Sequence, residues 1–383
     1  MAGLPQKSQM LEEAFSALSC VFLGKLHDDN QILRYGLQLY NQAIQKMSKA
    51  ISRKSYTDDL IYTCFIFQQI QIHYCPSSLA EWLTHFDGLG AIMKCYRPTK
   101  STSQILATIY GQSHALSVVL AAFMHLPADT IDSYKKHKGD GILETLVSYS
   151  AEVSRIAAAV DTTDASDREA CHSLLNDALN VEMGARELDI RINHGVPGDP
   201  PVYACGELKT RVSQTDDLFG PAYRFSSLED ATLRILLWLL LSFTHPLICY
   251  CQSRVKAQTA SREQVSERSL EESANKLAEF YVSKSIRCLP YIGQVDMSPS
   301  GLHHGLLVAI QASRVYSHSR DQARFLWTQD LFSTLQLAGF DYVARFRDIF
   351  GAYWSDTHRH NVFRILNYRE TVEKNKTPIQ DHH

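Results

Sequence analysis

His245 is the residue of this chain whose type and setting are best suited to chemistry. It lies in the run Ser242-Phe243-Thr244-His245-Pro246, near the end of a long apolar segment. A buried imidazole needs a hydrogen-bond partner, so it can anchor a polar group in a pocket or carry a proton. The plainer interpretation is a core histidine satisfied by a backbone carbonyl, and this is the commoner role of such a residue.

Other candidate acid–base groups lie towards the C-terminus. His303 and His304 open one predicted helix, and Asp341 and Tyr342 follow the end of another at Gly339. General acid–base catalysis needs a proton donor or acceptor beside the reacting group, and these side chains can supply one. They are catalytic candidates, together with His245, only if the protein is an enzyme.

Large aromatic side chains could line an apolar cavity between helices, which is the usual setting of a small-molecule site. With His245 as the polar anchor, the candidate ligand-binding residues are Trp238, Trp327, Tyr342 and Trp354. Aromatic residues at helical spacing more often simply fill the core. Both interpretations therefore stay open for each of these four residues.

The motifs of metal, nucleotide and hydrolase chemistry do not occur. The sequence has no G-x-x-x-x-G-K-[ST] loop, no H-E-x-x-H and no G-x-S-x-G. Its nine cysteines include no C-x2-C pair, and most lie in apolar runs. We therefore expect no metal and no cofactor, and buried free thiols in a reducing compartment. The polar N-terminus predicts no signal peptide, so the protein is expected to be intracellular, in the nucleus or cytoplasm, and not secreted.

Composition and charge limit the class of protein. The 383 residues are 45% apolar and 21% charged, which is typical of a soluble globular chain. The 38 Lys and Arg against 41 Asp and Glu give a net charge of -3, without the basic excess of a compact DNA-binding module. The most apolar stretch, residues 235–251, is interrupted by Ser242, Thr244, His245 and Pro246. It predicts a central core helix rather than a membrane span.

Helical periodicity dominates the chain, and no alternating strand run is convincing. We predict an all-α protein with roughly twelve to fourteen helices. The runs Ser226-Ser227-Leu228-Glu229 and Ser269-Leu270-Glu271-Glu272 have the form of helix caps, which predicts a helix beginning at each. The predicted organisation is an N-terminal helical half, residues 1–192; an irregular Pro/Gly-rich connection, 193–225; a C-terminal helical half of the same domain, 226–366; and a polar tail, 367–383.

The order of these features resembles the fungal-specific transcription factor domain. Glu81-Trp82-x-x-His85-x-x-Gly88 is similar to that family's tryptophan–histidine–glycine helix. Residues 302–315 resemble its late apolar helix, and Trp327 followed by Ala338-Gly339-Phe340 resembles its closing helix. The likeness extends from about Ala14 to Trp354.

The resemblance implies a large all-α domain that regulates transcription in the nucleus, often by sensing small effectors, and that accompanies dimeric DNA binding. The family's DNA-binding module needs six cysteines with two C-x2-C pairs and a basic linker, and this sequence has neither. We therefore expect either a fragment of a longer regulator or a stand-alone version that does not bind DNA by itself.

Two functions remain in view. The first is a regulatory module that binds a small hydrophobic effector or a partner regulator protein, with a homodimer as an open alternative. The second is a metal- and nucleotide-independent enzyme of fungal secondary metabolism, of cyclase, isomerase or dehydratase type, that uses an apolar pocket. No direct nucleic-acid or membrane partner is predicted in either case.

Overall fold

A computed structural model gives the fold of the chain. The structure describes residues 8–74, 88, 91–92, 95, 141–194, 218–257, 264–295, 299–337 and 343–355. Helices and irregular segments make up these residues, without a strand, which confirms the all-α prediction. The helices are α1 (Gln9–Leu26), α2 (Asn30–Ser52), α3 (Asp58–Tyr74), α4 (Ile142–Thr162), α5 (Arg168–His194), α6 (Leu228–Ala257), α7 (Gln264–Ile286), α8 (Leu289–Val295), α9 (Pro299–Ser319), α10 (Gln322–Leu337) and α11 (Val343–Ser355).

The chain forms two compact units. The smaller comprises Met1–Ser117 with Gln336–Ala344 and contains α1 to α3. The larger comprises Val118–Leu335 with Arg345–His383 and contains α4 to α9 and most of α10 and α11.

Helix α6 is the centre of the larger unit. Neighbours α4, α5, α7, α8 and α9 all contact it, and Ile235 to Leu241 are buried without interruption. Its start agrees with the predicted cap, because the Ser227 hydroxyl accepts the backbone N–H of Asp230 at 3.1 Å. Among the described residues, α6 is the one helix long and apolar enough to cross a membrane, and 78% of its apolar stretch is buried inside the protein. Such burial is what a core helix shows.

Helix α6 continues past Pro246 to Ala257. A proline lacks the N–H that would bond to the carbonyl four residues earlier, so it normally ends or bends a helix. Here the surrounding helices bury both sides of the proline, with Phe243 and Leu247 almost fully enclosed. Packing against the neighbouring helices therefore outweighs the tendency of proline to end a helix. The second predicted cap is wrong: Ser269 lies inside α7, which begins five residues earlier at Gln264.

Residues 218–227 lead into α6 and are held in place by hydrogen bonds to two arginines. Arg324 donates from Nε and Nη2 to the Leu218 carbonyl, both at 3.3 Å. Arg287 donates to the Pro221 carbonyl at 2.7 Å, and its own carbonyl accepts the Tyr223 N–H at 2.8 Å. These bonds fix the chain immediately before the central helix.

The smaller unit is built on a hairpin of α1 and α2 with α3 packed against it. Ser8 caps α1 by accepting the Leu11 N–H at 3.3 Å, and Asp29 caps α2 by accepting the Gln31 N–H at 2.8 Å. The two helices approach so closely that a Cβ on Gly24 would lie 2.8 Å from the backbone nitrogen of Leu33. Only a glycine fits at this crossing without moving backbone.

Gly24→Ala should therefore lower the free energy of unfolding by about 1–3 kcal/mol, the usual cost of overpacking, despite alanine's higher helix propensity. The matched control is Gly293→Ala in α8, where nothing lies within 4 Å of the added Cβ. That change should be neutral or raise stability by up to about 1 kcal/mol. Urea unfolding followed by circular dichroism measures both, and equal midpoints for the two variants would refute the close helix crossing.

Candidate functional site

A polar ladder crosses three helices of the larger unit, with α6 in the middle. Trp238 and His245 are seven residues apart on α6, so they lie on the same face, and Glu182 and Asp189 repeat the spacing on α5. Because the two helices run antiparallel, the pairs meet as two rungs, each completed by a residue of α7. The first rung is Glu182, His245 and Tyr281, and the second is Asp189, Trp238 and Lys284.

The first rung surrounds the imidazole of His245. Nδ1 of His245 lies 4.0 Å from Oε1 of Glu182, and the ring stacks on Tyr281 with 5.6 Å between centroids. The same Glu182 oxygen accepts a hydrogen bond from Nε of Arg186. His245 is 6% exposed, and its Nε2 is buried without a hydrogen-bond partner.

The second rung surrounds the indole of Trp238, which is 2% exposed. Its Nε1–H donates to Oδ1 of Asp189 at 3.2 Å, so the buried donor is satisfied. The ammonium of Lys284 lies 4.6 Å from the centre of the indole ring, a cation–π contact. Tyr223 packs on the same indole at 5.7 Å.

His245 is neutral at physiological pH. Burial lowers its pKa from 6.5 to about 4, and the positive charge of Arg186 acts in the same direction. Glu182 would favour the protonated form, but its 4.0 Å separation exceeds a hydrogen bond and Arg186 already neutralises its charge. Removal of the imidazole from water is therefore the dominant effect.

The phenol of Tyr281 stays protonated at neutral pH. Burial raises the pKa of its phenol, and Asp189 and Glu182 raise it further, while Arg186 opposes them.

The other predicted site residues occupy different places. His303 is buried and His304 half-buried near the start of α9. Trp327 on α10 packs edge-on against Phe219 at 4.8 Å, with its Nε1 buried and without a hydrogen-bond partner. Asp341 and Tyr342 lie outside the described residues.

Trp354 lies near the end of α11 and belongs to another aromatic contact. Its ring stacks on Phe325 with 4.4 Å between centroids, and the Arg320 guanidinium lies 5.2 Å from its centre. Arg320 also donates to the Trp354 carbonyl at 2.6 Å. Of the predicted set, His245 and Trp238 therefore share the ladder, and Trp327 and Trp354 lie in other clusters.

The residues of α5 and α7 that complete the ladder were not among the predicted site residues. One signal for α5 was present, because Glu182 and Asp189 have the same seven-residue spacing as Trp238 and His245. Nothing local marks Tyr281 or Lys284. Among the residues that the structure describes, no three His, Cys, Asp or Glu side chains are placed to hold a metal ion.

The low pKa of His245 predicts a pH dependence of stability. The unfolded chain binds a proton at about pH 6.5 and the folded chain only near pH 4, so protonation favours unfolding as the pH falls through this window. Between pH 7 and pH 5 this titration lowers the free energy of unfolding by about 2 kcal/mol. Glutamine does not titrate, so between the two pH values the free energy of unfolding of His245→Gln should fall less than that of the wild type, by that same amount. Urea unfolding at both pH values measures the difference. Equal losses in both proteins would show that His245 titrates normally.

Comparison with known proteins identifies the family. The sequence profile of the fungal specific transcription factor domain matches residues 6–379. An uncharacterized protein of Emericella nidulans is 26% identical over 113 residues, which are 29% of this chain and 22% of that relative. The chain thus matches less than a quarter of the relative's length. No solved structure matches the chain. Because the profile covers nearly all of its residues, and confirms the resemblance carried by its tryptophan and glycine motifs, the chain belongs to the fungal specific transcription factor domain family.

Proposed function

We propose that this chain is a regulatory module of transcription that binds a small apolar effector or a partner regulator protein. The observation that carries the proposal is the family match over residues 6–379, which leaves little of the chain for another function. The module acts inside the cell, in the nucleus or on the way to it, and without a membrane partner.

We further propose that the module reaches DNA through a partner. Its acidic residues outnumber its basic ones by 41 to 38, and its nine cysteines contain no C-x2-C pair. DNA binding depends strongly on neutralising phosphates with Lys and Arg. A near-neutral chain without a zinc cluster is better suited to binding another regulator than to binding the double helix.

The polar ladder supports an effector-binding role. It places a buried, neutral imidazole and a protonated phenol within one helical layer, and the imidazole Nε2 is without a hydrogen-bond partner. A buried polar atom without a partner calls for an explanation, and a polar group of a bound effector would supply one for this imidazole. We therefore assign the ladder as the place where the effector acts.

The alternative of an enzyme has less support. A general base works best with a pKa near the operating pH, and the pKa of His245 is about 4. At neutral pH this imidazole takes up a proton only weakly, so it is better suited to accept a hydrogen bond than to abstract a proton.

A tethering experiment tests the regulatory function. The whole chain is fused to a heterologous DNA-binding domain in a fungal reporter strain, and the DNA-binding domain alone is the control. We expect the fusion to raise or lower reporter transcription, because a regulatory module keeps its output when brought to a promoter. The unfused chain should not retard duplex DNA in a mobility-shift assay at physiological salt.

Reporter transcription that equals the control, at equal protein levels, would contradict the regulatory function. Direct and salt-sensitive binding of the unfused chain to DNA would contradict the proposed need for a partner.

A further inference from the structure

The α1–α2 hairpin exposes large apolar side chains around its tip. They lie in the last two turns of α1 and the first two turns of α2, and between 36% and 63% of each is exposed: Phe22, Leu23, Leu26, Ile32 and Tyr35. We call these five residues the apolar tip. A surface helix normally presents polar and charged residues to water, but residues 14–24 of α1 and 35–45 of α2 contain no charged residue. An exposed surface that is apolar and free of charge is typical of a protein–protein contact.

Three side chains of the apolar tip lie on one side of the hairpin. The two helices meet where Gly24 packs against Leu33 and where Gly36 packs against α1. In an antiparallel pair, the residue just before each contact residue projects to the same side, because a local two-fold axis relates the two helices. Such positions are occupied by Leu23, Ile32 and Tyr35. Phe22 and Leu26, one turn apart, continue the surface around the outer edge of α1.

The area of the apolar tip matches what a stable dimer needs. Its five side chains are on average about half exposed, and large side chains bury roughly 200 Å² each, so together they present on the order of 500 Å². A standard protein–protein interface takes about 800 Å² from each partner, of which about 60% is apolar. The apolar tip can therefore supply the apolar part of one side of such an interface.

The lack of charge favours a second copy of this chain as the partner. In a two-fold symmetric contact each surface meets an identical one, so a charge at its centre faces a like charge and is repelled. The apolar tip has no such charge at its centre. By contrast, the exposed Met183 and Ile190 on α5 have the charged and exposed Arg186 and Glu187 between them.

We infer that the apolar tip is the contact surface of a homodimer, in which two α1–α2 hairpins pack against each other. Leu23, Ile32 and Tyr35 form the centre of the contact, and Phe22 and Leu26 form its edge. The dimer does not depend on the regulatory function, because the smaller unit alone carries the contact surface.

Sedimentation velocity of the full chain over a range of concentrations tests the dimer. The wild type should sediment with twice the mass of one chain. Leu23→Glu brings a carboxylate from each copy into the apolar contact, so it should weaken the dimer about a hundredfold or more. Tyr35→Glu, at a second exposed position, should do the same. Either variant serves alone if the other loses its helical circular dichroism.

The matched control is Leu326→Glu, which adds the same charge at an exposed leucine of α10 in the larger unit. It should dimerise as the wild type does. A wild type that stays monomeric at every concentration would overturn the inference and leave the apolar tip to a different protein. A dimer that both hairpin variants leave intact, or that Leu326→Glu weakens equally, would overturn the assignment of the contact to this surface.

Discussion

Helix α6 is enclosed by its neighbours over most of its length, so each polar side chain on it needs a partner from the helix itself or from an adjacent one. Ser242 and Thr244 donate to carbonyls of their own helix, both at 2.7 Å. Arg234, which is 1% exposed, bonds Asp230 one turn away at 3.0 Å. Trp238 instead donates to Asp189 of α5, whereas His245 stacks on Tyr281 of α7 and lies 4.0 Å from Glu182 of α5. The polar ladder is thus a consequence of the burial of α6.

The same constraint connects the ladder to the segment before α6. Trp238 contacts both Lys284 of the second rung and Tyr223 of the irregular segment, whose ring lies 3.9 Å from the Arg287 guanidinium. Lys284 and Arg287 are neighbours on α7, three residues apart. A displacement of Lys284 would therefore disturb the Trp238 indole and, through it, the contact with residues 218–227. Lys284, Trp238 and Tyr223 thus form a continuous path of contacts from α7 to the segment before α6.

The sequence predicted the fold well where a pattern is local. The apolar run of residues 235–251 predicted a core helix, and the run Ser226-Ser227-Leu228-Glu229 predicted its beginning. The predicted start of α7 failed, because this helix begins five residues before the cap-like Ser269. His245 and Trp238 were identified as site candidates from their type and apolar setting. Tyr281 and Lys284 could not be, since only the packing of α7 on α6 brings them to the ladder.

Family membership and the ladder lead to one central proposal, that the module binds a small effector at the polar ladder. Native mass spectrometry of the full chain, purified from a filamentous fungus, tests it most directly. The account predicts that the wild type carries a non-covalent small-molecule adduct and that Tyr281→Phe, purified in the same way, carries less of it. A bare protein mass for the wild type, or an adduct of equal occupancy in both proteins, would contradict the account.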